Sequence, residues 1–213
     1  MNERAAIQSG VLLAAVAAAC WLLLFAMGDK MPMGAGLWLG TWTVMMAAMM
    51  LPSAAPIVLL YGRRSDTVDS TLLMTGYLLV WAFVGVAAYA VDMRVMDPGD
   101  AAVGSVLIVA GIYQLTPLKR ACLKRCRSPL DFLVTHWRKG RVGALRLGAE
   151  HGAYCVGCCW ALMAVLVVAG AMGLVWVVAI AAAVAAEKLL PAGQWLGRVG
   201  GIALVGGGIA VAF

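Results

Sequence analysis

The feature that most constrains this chain is a succession of apolar runs, each long enough to cross a lipid bilayer. A spanning helix needs about 20 apolar residues, because each residue advances it by about 1.5 Å through a hydrocarbon core of roughly 30 Å. Seven runs meet this requirement: residues 7–27, 37–60, 71–91, 101–117, 153–170, 174–190 and 195–213. The sequence therefore predicts an all-α integral membrane protein with about seven transmembrane helices.

The composition excludes a soluble fold. Hydrophobic residues make up 64% of the chain and charged residues only 12%, about half the charged fraction of a soluble domain. The 16 Lys and Arg exceed the 10 Asp and Glu, but they lie between apolar runs instead of forming one solvated face, so no nucleic-acid partner is expected. We expect a single membrane domain over residues 1–213, with the lipid bilayer as its partner.

Residues 153–186 form one weakly polar run that requires a choice between one helix and two. A single helix of this length would measure about 50 Å, which exceeds the bilayer without extreme tilt. Gly170 and Gly173 stand near its middle, and glycine permits the backbone reversal of a tight hairpin. Two spans are therefore predicted.

The distribution of basic residues predicts the orientation, because Lys and Arg are retained preferentially on the cytoplasmic side. With seven spans, one face receives Arg4, Arg63, Arg64, Lys188, Arg198 and the strongly basic segment 118–150, while the other receives only Lys30 and Arg94 beside Asp29, Asp92, Asp97 and Asp100. We therefore expect an inner (plasma) membrane protein with the amino terminus inside and the carboxyl terminus outside. Segment 118–150 is then a basic cytoplasmic loop between helices 4 and 5, with helical parts.

Five of the six cysteines cluster in the sequence, at Cys122, Cys126, Cys155, Cys158 and Cys159. The predicted topology places all five near the cytoplasmic face, where thiols stay reduced. A structural disulfide framework is therefore not expected, and metal binding or thiol chemistry is favoured. Cys20 stands alone in the first apolar run and is most simply a small buried residue.

His151, Cys155, Cys158 and Cys159 lie at steps of four, seven and eight, which is one stripe of a helix. Thiolates and imidazole together suit Cu(I) and Zn(II). Because one straight helix cannot surround an ion with ligands, a second element must supply at least one more ligand. We predict a metal site here, with Cu(I) favoured and zinc as the alternative.

Three other groups supply candidate ligands. Cys122 and Cys126 would share a helical face as capture or transfer sites, whereas two cysteines four apart carry little information alone. Met45, Met46, Met49 and Met50 offer soft thioethers near Pro52 and Pro56, but methionines at helical spacing usually pack a core. Glu187 could be a ligand or a partner of one, although it and Lys188 are interpreted first as interfacial residues. Gln114 is expected to form a hydrogen bond between helices.

Three strings carry a family resemblance: WTVMMAAMMLPSAAP at 42–56, GIYQLTPLKRACLKRCR at 111–127 and HGAYCVGCCWALM at 151–163, followed by Glu187 and Lys188. They resemble a PpoB2-like family of predicted metal-binding integral membrane proteins. The resemblance covers roughly residues 38–190, and the cysteine string is its most specific part. It implies metal binding, and a copper-dependent oxidase as a client, since some members are regarded as copper chaperones for such enzymes.

Two other functions remain open. Cys155 and Cys158 could form a transmembrane thiol–disulfide shuttle, although the outer face offers no cysteine except Cys20. Alternatively, the chain is a structural or accessory subunit of a larger membrane complex. This is supported by Gly197, Gly201 and Gly208 of the last span, since small residues at this spacing permit close helix contact within the chain or with a partner. No ATP-binding motif is present, so active pumping by this chain alone is not expected, and no catalytic residues are predicted.

Overall fold

The structure is a computed structural model that describes residues 3–28, 34–94, 99–168 and 173–213. These residues form helices and connecting turns, with no strand among them. In chain order the helices are α1 (Glu3–Met27), α2 (Ala35–Gly62), α3 (Thr67–Asp92), α4 (Asp100–Leu115), α5 (Pro117–Arg127), α6 (Pro129–His136), α7 (Gly140–Val168), α8 (Leu174–Leu189) and α9 (Gly193–Ala212). The all-helical prediction is confirmed for the described residues.

Five helices are long and apolar enough to cross a membrane, namely α1, α2, α3, α7 and α9. The consecutive helices α4 and α5 give a sixth if they are counted as one broken span. Helix α8 has 16 residues, fewer than the roughly 20 of a typical span. The multi-pass membrane class thus follows from helix length and composition.

The predicted fourth span, residues 101–117, ends earlier than expected. Helix α4 stops at Leu115, and α5 turns away from it by 64°. The residue before a proline avoids the helical region, and Thr116 accordingly has φ −71° and ψ 152°. Its Oγ1 then accepts a hydrogen bond from the Lys119 amide at 3.3 Å, so Thr116 ends one helix and caps the next. The bend brings the cysteines of α5 back toward the bundle.

Helix α7 begins at Gly140 and runs through the predicted start of the fifth span near residue 153. Ala144, Leu147, Gly148 and His151 are all buried, at helical spacing, so the helical part at the end of segment 118–150 is continuous with the fifth predicted span and packs against the bundle. The division of residues 153–186 is confirmed, since α7 ends at Val168 and α8 begins at Leu174. Gly170, Asp29, Lys30 and Asp97, which entered the predictions above, lie outside the described residues.

Helices α2, α3 and α7 pack around the centre of the bundle. A Cβ on Gly76 would overlap the Leu145 carbonyl, and one on Gly148 would overlap the Leu73 carbonyl. The backbones of α3 and α7 therefore touch, which only glycine at these two positions allows. This close contact sets α3 beside the cysteine-bearing turns of α7.

The glycine face of α9 is occupied within the chain. A Cβ on Gly208 would lie 2.7 Å from the Gly104 carbonyl oxygen of α4, and one on Gly201 would lie 2.9 Å from the Gly111 carbonyl oxygen. Gly197 packs against the Glu187 carboxylate. The close contact expected of these glycines is therefore made within the chain, because α4 and Glu187 already cover this face.

Candidate metal centre

The centre of the candidate site is a group of three thiols on α7. The sulfur atoms of Cys155, Cys158 and Cys159 all lie within 4.8 Å of one another, and the three residues are at most 2% exposed. The Cys158 and Cys159 thiols both donate to the Cys155 carbonyl oxygen, at 3.1 and 2.9 Å. Their positions three and four residues after Cys155 allow these hydrogen bonds along the helix. One turn of α7 thus assembles three soft ligand atoms away from water.

Helix α5 is the second element that brings a cysteine close to the three thiols. The Cys126 sulfur lies 3.9 Å from the Cys158 sulfur. The Cys122 sulfur packs on Gly157, where an added Cβ would lie 2.8 Å from it. Because Gly157 has no side chain, α5 approaches α7 closely at this point. The structure therefore brings Cys126 to the edge of the three-thiol group and keeps Cys122 one helical turn away from Cys126.

The Cys155 sulfur has polar partners from two other helices. Lys188 of α8 donates to it at 2.9 Å, and the Tyr77 hydroxyl of α3 hydrogen-bonds with it at 2.9 Å. Lys188 also donates to the Ser53 hydroxyl of α2 at 3.1 Å. Within the described part of the chain no carboxylate pairs with Lys188, so its ammonium faces the thiol group. A cation there favours negative charge on the sulfur atoms.

Glu187 points to a different side of α8 from Lys188. Its carboxylate pairs with Lys119 at 2.5 Å and accepts from the Gln114 amide at 3.1 Å, which confirms the predicted helix–helix hydrogen bond of Gln114. Arg127 donates to the Glu187 carbonyl oxygen at 2.6 Å. Lys119 and Arg127 stand near the two ends of α5, so Glu187 holds that helix at both ends.

The interfacial interpretation of Glu187 and Lys188 is wrong, because both side chains are buried between helices. Glu187 is 5% exposed and Lys188 8%. A buried charge is tolerated only where partners replace the lost water. Glu187 has Lys119 and Gln114 as partners, and Lys188 has Ser53 and Cys155. The sequence signal for this was present: ionisable residues near the end of an apolar helix commonly face the protein interior.

Comparison with known protein families matches residues 39–211 to PpoB2, described as a copper chaperone. The chain belongs to this family. Neither the curated proteins nor the solved structures gave a match. The matched region begins in α2 and ends in α9, so it includes every residue of the cysteine group and of its partners on α3, α5 and α8.

In this member of the PpoB2 family, His151 lies on the cysteine face of α7 but outside the three-thiol group. Its ring contacts Tyr77 and Phe132, with centroids 5.8 and 5.1 Å away. The residue is 3% exposed, and its Nδ1 is buried without a hydrogen-bond partner. The imidazole thus retains one free nitrogen, one helical turn from Cys155.

The four methionines of α2 are all buried and belong to the same core cluster as the three cysteines. Met50 is connected to the site through its backbone, since its carbonyl oxygen accepts from the Ser53 hydroxyl at 2.8 Å and from the Tyr77 hydroxyl at 3.5 Å. Met45, Met46 and Met49 are at most 2% exposed. This burial is what core packing predicts. Helix α2 runs through Pro52 and Pro56 as one continuous element.

Sequence reasoning missed Tyr77 and Ser53, the two neutral partners of the site. They lie on α3 and α2, and Tyr77 is 78 positions from the cysteine that it contacts. No spacing rule connects such distant positions. The available signal was Gly76, since a glycine in an apolar helix indicates close helix contact at that level, but it does not indicate which side chain reaches the cysteines.

Proposed function

We propose that this protein binds one Cu(I) ion in the membrane and passes it to a copper-dependent enzyme. The observation that carries the proposal is the buried group of Cys155, Cys158 and Cys159 in a chain of the copper chaperone family. Sulfur ligands favour soft ions, and burial removes the water that would hydrate a hard one. The ion is the cargo, and a copper-dependent oxidase is the recipient that we propose.

The additional sulfur of Cys126 has a role in exchange. An ion held by three thiols can be transferred without entering water if an incoming ligand binds before an outgoing one leaves. Cys126 is positioned for that step by its 3.9 Å contact with Cys158. Cys122, one turn earlier on α5, and His151, with its free Nδ1, are the next ligands that we propose on the route. The methionines of α2, which are buried in the same core cluster as the three cysteines, are further soft ligands that we propose.

Glu187 is assigned a positioning role instead of a ligand role. Both of its carboxylate oxygens are engaged, one by Lys119 and the other by Gln114. A hard carboxylate would also be a poor ligand for Cu(I) beside three sulfur atoms. Its effect on metal binding therefore acts through the placement of α5.

Anaerobic titration of the purified protein, with a chromophoric chelator as competitor, tests the proposed function. We expect one Cu(I) per chain and weaker binding of Zn(II). Zinc prefers four tetrahedral ligands, so tighter binding of Zn(II) than of Cu(I) would contradict the choice of copper as the cargo. Replacement of Cys20 by serine is the control, because Cys20 lies in α1 outside the group. Equal copper content in the Cys155, Cys158 and Cys159 triple serine variant would overturn the proposal.

The charge of Lys188 should raise the affinity for Cu(I) without stabilising the metal-free fold. A Cu(I) ion with three thiolates carries net negative charge, and Lys188 lies 2.9 Å from the first of them. We expect Lys188→Met to lower Cu(I) affinity on the order of a hundredfold, since charges about 4 Å apart interact by a few kcal/mol at an effective dielectric near 20.

Lys188→Arg is the matched control, because it keeps the positive charge. Thermal unfolding of the metal-free Lys188→Met variant should be unchanged or shifted upward, since a methionine needs no hydration. Chelator competition measures the Cu(I) affinity, and melting curves measure the stability of the metal-free protein. Loss of stability in the metal-free variant, with unchanged Cu(I) affinity, would show that Lys188 is structural.

We also propose the seven-span topology in an inner (plasma) membrane, with the amino terminus inside. Its support is the helical hairpin of α7 and α8, together with the concentration of basic residues in α5, between α6 and α7 and at the start of α7.

Reporter fusions test this topology. A reporter at the amino terminus and one at Lys139, between α6 and α7, should both report the cytoplasm. A reporter after Phe213 should report the outer side. A cytoplasmic signal after Phe213 would mean an even number of spans and would refute the hairpin of α7 and α8.

A further inference from the structure

A cleft separate from the cysteine group lies where the end of α2 meets α6. It has a volume of about 1220 Å³, and its wall includes Leu60, Arg63, Arg64, Leu133, Val134 and Trp137. None of these residues belongs to the metal centre. One part of the cleft is apolar and the other carries two adjacent guanidinium groups, so the cleft is amphiphilic.

The apolar part is formed by a helix that cannot cross a membrane. Helix α6 has only eight residues, and it buries Phe132 and Leu133 while Leu130 and Val134 remain 64% and 80% exposed. Trp137, at its end, packs on Tyr61 of α2 with ring centroids 5.0 Å apart. A short helix with a buried face and a second apolar face pointing outward is typical of a segment that lies at the membrane surface.

The charged part consists of Arg63 and Arg64, directly after the last residue of α2. Both are exposed, and among the residues that the structure describes neither forms an ion pair. The nearby Asp66 carboxylate accepts instead from the Asp69 amide at the start of α3. Two free guanidinium groups offer several donors in a planar arrangement that matches a phosphate.

We propose that this cleft binds one anionic phospholipid of the leaflet on the basic side of the protein. The phosphate lies against Arg63 and Arg64, and an acyl chain covers Leu60, Val134 and Trp137. Charged and apolar side chains line the same cleft. A soluble phosphate would contact only the arginines, whereas a phospholipid would contact both parts. Because Phe132 of α6 contacts the His151 ring at 5.1 Å, the bound lipid also holds α6 over the end of the metal site that His151 occupies.

Native mass spectrometry of the full chain, released from bilayers of equal phosphatidylcholine and phosphatidylglycerol, tests the proposal. The wild-type chain should retain one phosphatidylglycerol in preference to phosphatidylcholine. Arg63→Gln with Arg64→Gln should lower that preference roughly tenfold or more, because each basic residue near an anionic lipid surface contributes about one kcal/mol. Val134→Ser should lower retention through the apolar part of the cleft.

Arg141→Gln with Arg146→Gln is the matched control. It removes the same charge from two exposed residues of α7 that do not line the cleft. The proposal is supported if only the Arg63 and Arg64 pair lowers the preference. It is overturned if both pairs lower it equally, if phosphatidylcholine is retained as well as phosphatidylglycerol, or if glycerol phosphate without acyl chains displaces the lipid. Circular dichroism of each variant confirms that a loss of lipid is not a loss of fold.

Discussion

Replacement of Cys155 and Cys159 together by serine should lower Cu(I) affinity by about three to four orders of magnitude. Structural zinc sites in zinc-finger peptides hold their ion with roughly 10–16 kcal/mol shared among four ligands, and we expect a lost thiolate to cost a similar few kcal/mol here. Serine is close in size to cysteine and, at position 159, can keep the hydrogen bond to the Cys155 carbonyl oxygen. The helix should therefore remain intact while the soft ligands are lost.

Chelator competition under reducing conditions measures this change. Cys122→Ser is a suitable control, because Cys122 packs on Gly157 outside the three-thiol group. It should slow transfer of the ion while changing equilibrium affinity by less than about tenfold. Affinity of the wild-type chain should also fall as pH drops, because protons compete with the metal for the thiolates. An unchanged affinity in the double variant would mean that the thiols only pack the helices.

The second large effect is expected at Glu187. Glu187→Gln leaves the Lys119 ammonium, 2% exposed, without its counter-charge. Breaking a buried ion pair by removing one partner costs about 3–5 kcal/mol. We therefore expect a clear downward shift of the melting temperature in detergent, together with looser attachment of α5.

Cross-linking separates the two consequences of this substitution. In a chain that keeps only Cys126 and Cys158, the sulfur atoms are 3.9 Å apart, and mild oxidation should join them readily. The same reaction should be slower with Glu187→Gln. Asp131→Asn is the matched control, since it also removes a carboxylate that pairs with α5, but the pair with Arg125 is exposed and contributes at most about one kcal/mol. Equal cross-linking rates in both variants would refute the positioning role of Glu187.

The sequence alone predicted the helical class and the main stripe of the site. Cys155, Cys158 and Cys159 share a face of α7 because spacing on a helix determines direction, and their burial follows from that face. The participation of α5 was also predictable, because Cys122 and Cys126 had to lie near the membrane entry of α7. These successes rest on local periodicity.

What could not be predicted depends on packing between distant segments. Glu187 and Lys188 are neighbours in the sequence, yet consecutive helical residues point about 100° apart. One therefore faces Lys119 on α5 and the other faces Cys155 on α7, and the sequence does not show which is which.

The position at which α7 begins could not be predicted for a related reason. Segment 140–150 is polar in composition, and its buried face appears only when α3 is placed beside it. The use of the α9 glycines within the chain was likewise fixed by their contact with α4.

The most direct test of the central claim is X-ray absorption at the copper edge of the protein loaded with one Cu(I) under reducing conditions. The structure predicts a first shell of sulfur atoms, close to the roughly 2.3 Å of metal–thiolate bonds, since the thiols of Cys155, Cys158 and Cys159 are the ligands brought together. That sulfur shell should disappear in the triple serine variant. A shell dominated by nitrogen or oxygen in the wild-type protein, or one that persists without the three cysteines, would contradict it.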